Sequence, residues 1–190
     1  MSVRKPEATS LARTQAFNKP QVSTIFSILE STIITHSISL TRVYNMDESG
    51  LNTVQSTQKV IALCGKKQVG AISSAERGVH CMIVCCMSSA GTFIPPAVIS
   101  PRKRWKLELG DDGPPVTLNM CQENGLITGE LFLAWLKHFV DYVAPCPQNK
   151  VLILLDGHAS HKSLEAVKYA RENGIVMMCF FHIVPTGCSH

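Results

Sequence analysis

The run Val151–Asp156 (VLILLD) constrains the fold more than any other stretch of this 190-residue sequence. Five consecutive aliphatic residues are typical of a strand that is buried on both faces, in the middle of a layered α/β sheet. The run ends on a carboxylate, and ligands of such sheets bind beyond the carboxyl ends of the strands. Many strand-end aspartates only cap the following turn, so Asp156 alone is weak evidence for a site.

A second strand-like segment, residues 43–47, also ends in an acid. Neighbouring residues of a strand point to opposite faces, so Asp47 and Glu48 cannot both face one metal ion. Asp47 is the candidate because apolar residues frame it within the strand, whereas Glu48 leads into a predicted Ser49-Gly50 turn. Two strand-end aspartates far apart in sequence suggest a metal site that is assembled by the fold.

The patterns before residue 100 predict one helix and an antiparallel meander. Apolar residues at helical spacing between Val22 and Ile33 indicate a helix that packs on the core and ends near His36. Two apolar runs separated by a predicted turn at residues 88–91 predict a hairpin of Val79–Met87 and Phe93–Ile99, with the prolines at 95 and 96 favouring an edge position. Two further short strands are predicted at residues 60–63 and 68–73.

The second half of the chain alternates helix, strand, helix and strand. Thr128 is a predicted cap of an amphipathic helix, and Ser160 of another helix that follows the Val151–Asp156 strand. A last strand is predicted over Ile175–Phe181. This order implies a right-handed crossover and parallel pairing. Together the two halves predict an α/β fold with a mixed sheet and helices on both faces.

The composition indicates one domain with an ample core, since 45% of the residues are hydrophobic. The net charge of +4 permits a polyanionic partner without requiring one. Lys66 and Lys67 are candidates for substrate contacts, although such pairs are more often solvated turns. No run is long enough to span a membrane. The cysteines at 81, 85, 86 and 179 lie in apolar runs and are expected to be buried, reduced side chains.

The hexapeptide Asp156–His161 (DGHASH) permits three interpretations. His158 and His161 have zinc-ligand spacing, but no third ligand matches. Ser160 lacks the glycine pattern of a nucleophile elbow and is more simply a helix cap. In the third interpretation Asp156 binds a hard cation and the two histidines line the substrate groove. Mg²⁺ is commonly held by one or two carboxylates together with substrate phosphate oxygens, so Asp47 and Asp156 would suit it.

Several segments together resemble the catalytic domain of pogo/Tigger-type DDE transposases, the superfamily that includes jerky-like and centromere-protein-B-like domesticated proteins. Any one of these segments would be weak evidence, and the set is specific. The matching segments are Arg4–Ser10, Ala16–Asn18, Tyr44–Gly50, Gly129–Leu136 and Leu154–His161.

The resemblance implies a ribonuclease-H-like fold and Mg²⁺- or Mn²⁺-dependent cleavage and transfer of DNA strands. Asp47 and Asp156 would be the first two metal ligands. Residues 1–40 would form a lead-in segment with the packing helix, and residues 41–190 the DDE-type domain. DNA is the implied partner and the nucleus the implied location.

The sequence departs from the family pattern at its C-terminal end. In the family a third acid follows the last strand, after a segment resembling P-P-H-x-T-H-x-L-Q-P-L-D. Residues 181–190 do not match this segment in frame, but a back-translation read two bases later can spell P-H-C-T-H-R-L-Q-P. The hypothesis is a frameshift or a wrong gene end, which genomic reads across codon 181 would test.

With the third acid missing, the domain is expected to be incomplete, to bind the cation weakly and to be inactive. An exposed side of the core would favour poor solubility and self-association. The alternative function is a non-catalytic nucleic-acid-binding or interaction module. That module would bind DNA in a salt-sensitive way and be indifferent to chelator and to loss of Asp47 or Asp156.

Overall fold

The structure, a computed structural model, describes residues 19–52, 80–106 and 113–180. In these ranges six strands form one sheet in the order β4-β3-β2-β1-β5-β6. The strands are β1 (Val43–Asn52), β2 (His80–Ser88), β3 (Phe93–Ser100), β4 (Leu118–Cys121), β5 (Val151–Asp156) and β6 (Ile175–Phe180). The α-helices are α1 (Lys19–Thr35), α2 (Gly129–Val143) and α3 (Leu164–Glu172), and two 3₁₀ helices span Leu40–Arg42 and Ala159–Lys162.

The first three strands form the predicted antiparallel meander. Strand β1 continues past its acids, because Ser49 pairs with Ile83 and the ladder runs on to Asn52 and His80. The predicted Ser49-Gly50 turn is therefore wrong. Cross-strand hydrogen bonding to β2 keeps this segment extended despite its turn-forming residues.

Strand β3 lies inside the sheet rather than at its edge, because β4 pairs with it in parallel from Ala97 onward. Val84 opposes Ala97 and Cys86 opposes Ile94, so the two prolines lie opposite Cys85 alone. A bulge of this kind accommodates residues that cannot donate to the ladder. The predicted edge position is wrong for this reason, and the four-residue strand β4 was not predicted.

The second half of the sheet is parallel, as predicted. Thr128 caps α2 by accepting a hydrogen bond from the backbone N–H of Leu131. Strand β5 pairs in parallel with β1 on one side and with β6 on the other. The side chain of Arg42 donates to the carbonyls of Asn149 and Lys150, which ties the start of β1 to the loop before β5.

The hydrophobic core lies between one face of the sheet and the helices α2 and α3. We call this side the helix-covered face; it includes Tyr44, Met46 and alternate residues of β5 from Val151 to Leu155. Helix α2 contributes four buried side chains, Phe132, Trp135, Leu136 and Phe139, and α3 contributes Ala166 and Ala170. The alternate residues of β1 and β5, including Asp47 and Leu152, point to the opposite face. Leu152 is also buried, so β5 is covered on both faces as its sequence predicts.

Helix α1 forms where the apolar spacing predicts it, but it buries no residue. Four residues on the predicted apolar face are half-buried, so this face is partly covered but contributes no residue to the core. These residues are Val22, Ile25, Leu29 and Ile33. The helix side chains at Phe26, Ile28 and Ile34 are largely exposed, while Ile38 just beyond the helix is buried.

The cysteines follow the alternation of their strands. Cys86 is buried, and burial raises the pKa of its thiol to about 12. Its neighbour Cys85 points to the opposite face and is exposed, so the expectation that it is buried is wrong. The six cysteines in the described ranges are all free thiols.

Within residues 19–52, 80–106 and 113–180, no helix is long and apolar enough to cross a membrane. The strands predicted at residues 60–63 and 68–73 lie outside the described residues. The same is true of residues 181–190.

Candidate metal centre

Asp47 and Asp156 lie on adjacent parallel strands and share one face of the sheet. The ladder between β1 and β5 pairs Asn45 with Leu154. Asp47 and Asp156 each follow two residues later, and residues two apart in a strand point to the same side. Both aspartates are exposed at this end of the sheet. The fold thus places two carboxylates that are far apart in sequence on one face of neighbouring strands.

Each of these carboxylates has one oxygen held by a backbone amide. Oδ1 of Asp47 accepts a hydrogen bond of 2.9 Å from the N–H of Glu48. Oδ1 of Asp156 accepts one of 3.0 Å from the N–H of His158. These local bonds restrict the side-chain rotamers and orient both acids before any ligand binds.

His161 lies at the same end of the sheet and contacts an acid from each face. Its Nε2 is 3.0 Å from Oε1 of Glu48, and its Nδ1 is 3.0 Å from Oδ1 of Asp156. The imidazole is 1% exposed and packs against the ring of Phe132 at a centroid distance of 4.6 Å. It was predicted to line a substrate groove. It does line the groove described below, and its ring nitrogens are directed at two carboxylates.

The pKa of His161 is raised above the usual 6.5. Burial acts to lower the pKa, but hydrogen bonds to Glu48 and Asp156, together with the two negative charges, outweigh it. The charged imidazolium is thus favoured in the folded state, where both N–H groups donate to carboxylates.

A raised pKa in the folded protein means that His161 stabilises it most at low pH. We expect the difference in unfolding free energy between wild type and His161→Gln to be full below about pH 6.5 and to shrink as pH rises through the folded-state pKa. Urea unfolding between about pH 5.5 and 8.5 measures this difference. His138→Gln, at a histidine bonded to the carbonyl of Pro95, is the control. A difference that is constant or grows with pH would contradict the assignment.

Glu48 is the residue that sequence reasoning missed. It points to the helix-covered face with Tyr44 and Met46, and its side chain is only 17% exposed. A carboxylate on the core side of a strand requires a partner, and His161 supplies it. The alternation of side chains along β1 excluded Glu48 from the metal site. The same alternation places Glu48 on the core face, where a carboxylate needs a partner, and this signal could have been read from the sequence.

The remaining predicted site residues have other positions. His158 is exposed, and its Nδ1 is 2.8 Å from the hydroxyl of Ser160. Ser160 lies inside the 3₁₀ turn, and α3 is capped by Ser163, so the predicted helix start at Ser160 is wrong. Lys66 and Lys67 lie outside the described residues.

The donor set suits a hard cation, because Mg²⁺ and Mn²⁺ prefer carboxylate oxygens. Oδ1 of each aspartate is engaged by backbone, which leaves Oδ2 for a cation. Within the described ranges, no group of three His, Cys, Asp or Glu side chains is arranged so that it could hold a metal ion. This part of the chain therefore offers a two-carboxylate site.

A groove of about 600 Å³ runs beside the site along β6 and α3. The described residues that line it include five with basic side chains and none that is acidic. The basic residues are His36, Lys150, His161, Lys162 and Arg171. The groove suits an anionic ligand.

The family model described as DDE superfamily endonuclease matches residues 78–187, which is more than half of the chain. The chain therefore belongs to the DDE superfamily endonucleases. The match includes Asp156 and His161 and begins after Asp47.

Solved structures of the Mos1 transposase share the fold. The Mos1 strand transfer complex superposes with a TM-score of 0.55 at 13% identity, covering 93% of this chain and 44% of that chain. The Mos1 mariner paired-end complex with Mn gives a TM-score of 0.54 at 15% identity, covering 93% and 46%. The predicted ribonuclease-H-like fold is thereby confirmed.

A curated protein of Cochliobolus lunatus, "MFS-type transporter clz9", is 27% identical over 137 residues, covering 70% of this chain and 15% of that protein. The chain thus spans less than half of the solved proteins and a small part of this relative.

Proposed function

We propose that this chain is a nuclease domain of the DDE type that acts on DNA and uses Asp47 and Asp156 to hold Mg²⁺ or Mn²⁺. The observation that carries the proposal is that these two acids point to one face of adjacent parallel strands, each two residues beyond the paired residues Asn45 and Leu154. Family membership supports the reaction class. We assign the chain to the pogo/Tigger branch on the motifs around the two acids, and its place of action to the nucleus.

The two aspartates would contribute the negative charge that attracts the cation, and a bound cation would stabilise the charge that develops on phosphate oxygens. The protein's own residues orient the carboxylates through the N–H groups of Glu48 and His158. Because the described residues include no group of three side chains that could hold a metal ion, we expect strand cleavage to be slow.

DNA as the partner has two kinds of support. The groove along β6 is basic, and the chain carries a net charge of +4. Solved structures with the same fold include a Mos1 transposase complex with a transposon end. Phosphate oxygens would meet the basic side chains of the groove, and the cation site lies at the adjacent end of the sheet.

Nicking of supercoiled plasmid DNA tests the proposal. We expect slow conversion to the relaxed form with Mn²⁺ or Mg²⁺, no conversion with EDTA, and loss of conversion in Asp156→Asn. Asp141→Asn, at an exposed position of α2, is the matched control and should behave as wild type. DNA binding without nicking, unchanged by EDTA and by Asp156→Asn, would instead favour a metal-independent binding module.

The basic groove leads to a separate prediction about salt dependence. Replacing Lys150 and Arg171 together by alanine is expected to weaken binding to all duplexes alike and to reduce the slope of log affinity against log salt by about 2. Fluorescence anisotropy with a labelled duplex across a KCl series measures the slope. Lys168→Ala, on α3 but outside the groove, is the control. An unchanged slope in the double variant would exclude the groove as the phosphate contact.

A further inference from the structure

We propose that Glu48 and His161 are positioning residues that fix the carboxylate of Asp156, so that its Oδ2 atom is presented to the cation. The proposal rests on the proposed function, because it assumes that Asp156 is a cation ligand. It adds Glu48 and His161 to the site, although the side chain of Glu48 points to the opposite face of β1 from that of Asp47.

A continuous set of hydrogen bonds joins the two aspartates through Glu48. The N–H of Glu48 donates to Oδ1 of Asp47 over 2.9 Å. Its side-chain Oε1 lies 3.0 Å from Nε2 of His161, and Nδ1 of the same ring lies 3.0 Å from Oδ1 of Asp156. The backbone of Glu48 thus contacts Asp47, and its side chain is linked to Asp156 through His161.

The orientation of the His161 imidazole is fixed by burial and by contacts at both ring nitrogens. The ring is 1% exposed, and Phe132 of α2 packs against it. Its Nδ1 also lies 3.4 Å from the backbone carbonyl of Asp156. A buried ring with contacts at both nitrogens has one orientation, so the position of Nδ1 is fixed relative to β5.

Two donors meet at the same oxygen of Asp156. The N–H of His158 and Nδ1 of His161 each lie 3.0 Å from Oδ1. This arrangement occupies Oδ1 and fixes the rotation of the carboxylate, which directs the remaining oxygen away from the ring. Groups that orient a metal ligand in this way commonly change metal affinity by about 10–100-fold when removed.

The test measures Mn²⁺ dissociation constants by electron paramagnetic resonance, with a thermal melt of each variant. Glu48→Ala is expected to weaken Mn²⁺ binding by about 10–100-fold. Glu48→Gln should stay within about threefold of wild type, because the amide oxygen still accepts from Nε2–H. This rescue distinguishes positioning from a role in stability.

His138→Gln, at a half-buried histidine remote from the acids, should lower the melting temperature without changing Mn²⁺ affinity. Wild-type affinity in Glu48→Ala would overturn the proposal.

Imidazole N–H resonances of His161 separate failure of this proposal from failure of the proposed function. We expect two slowly exchanging signals without metal, the Nε2–H signal being lost in Glu48→Ala and the Nδ1–H signal shifted in Asp156→Ala. If wild type binds no Mn²⁺, the proposed function fails. The two N–H signals then test on their own whether His161 contacts Glu48 and Asp156. Absence of both signals, or no response to either substitution, would overturn the positioning role.

Discussion

Replacing Asp156 by asparagine is expected to weaken Mn²⁺ binding by at least about 100-fold, because loss of a direct ligand should exceed the effect of losing a group that only orients one. Asparagine keeps the size of the side chain and the amide oxygen that accepts from the N–H of His158. The fold should therefore persist while the charge at the cation site falls. Isothermal titration calorimetry with Mn²⁺ measures the affinity, and circular dichroism checks the fold.

Asp47→Asn should have a similar effect, and the double variant should be little worse than either single one. Two ligands of one ion act as a unit, so their effects are not additive. Asp141→Asn removes a carboxylate of the same type from the exposed side of α2 and serves as the control. Full additivity, or an effect of Asp156→Asn no larger than that of Asp141→Asn, would argue against a shared ion.

Gly174→Ala is expected to destabilise the protein by about 2–5 kcal/mol. Gly174 has φ of +71°, and an added Cβ would lie 2.2 Å from the carbonyl oxygen of Cys146. Its own carbonyl accepts a hydrogen bond from the N–H of Val151, which joins the starts of β5 and β6. Urea unfolding measures the loss.

Alanine variants of two other glycines distinguish the effect of backbone strain from that of the steric clash with Cys146. Gly91 has φ of +82° with nothing within 4 Å of an added Cβ, so its alanine variant should lose only about 1–2 kcal/mol from backbone strain. Gly50 has ordinary φ and open space, so alanine there should change stability by less than about 1 kcal/mol. Equal losses of stability in the alanine variants of Gly174 and Gly91 would mean that the backbone at Cys146 moves away from the added Cβ at little cost in free energy.

The parts of the fold that follow from local sequence were predictable. The apolar run of β5 requires burial on both faces, and the structure covers both. Thr128 gives α2 its start because its side chain satisfies a backbone N–H that would otherwise lack a partner. The order of elements after α2 leaves parallel pairing of β5 and β6 as the simplest topology.

Other features depend on partners that a linear sequence does not identify. Strand β4 has four residues, and it is extended because β3 pairs with it. The prolines of β3 are accommodated by a bulge that only the register with β2 defines. Helix α1 has an apolar spacing but buries none of its residues, since spacing indicates a potential face and not what covers it.

The candidate site shows the same division. Asp47 and Asp156 were chosen as predicted strand-end residues, and β1 and β5 are neighbours in the sheet. Asp156 does end β5, whereas the predicted strand end at Asp47 is wrong, because β1 continues to Asn52. Their role as metal ligands stays a prediction. The contacts of His161 could not be foreseen. The sequence shows that His161 follows His158 by three residues, but it does not show that β1 brings Glu48 to the Nε2 atom of His161.

The most direct test of a cation shared by Asp47 and Asp156 is cleavage of the polypeptide by bound Fe²⁺. Bound Fe²⁺ reduces added hydrogen peroxide to hydroxyl radical, ascorbate regenerates Fe²⁺, and the radicals cut the chain next to the ligands of the ion. Mass spectrometry locates the cuts. Our account predicts cuts beside both Asp47 and Asp156, lost together when either residue is replaced by asparagine and suppressed by excess Mn²⁺. Cuts beside only one of them, or cuts that persist in both variants, would contradict it.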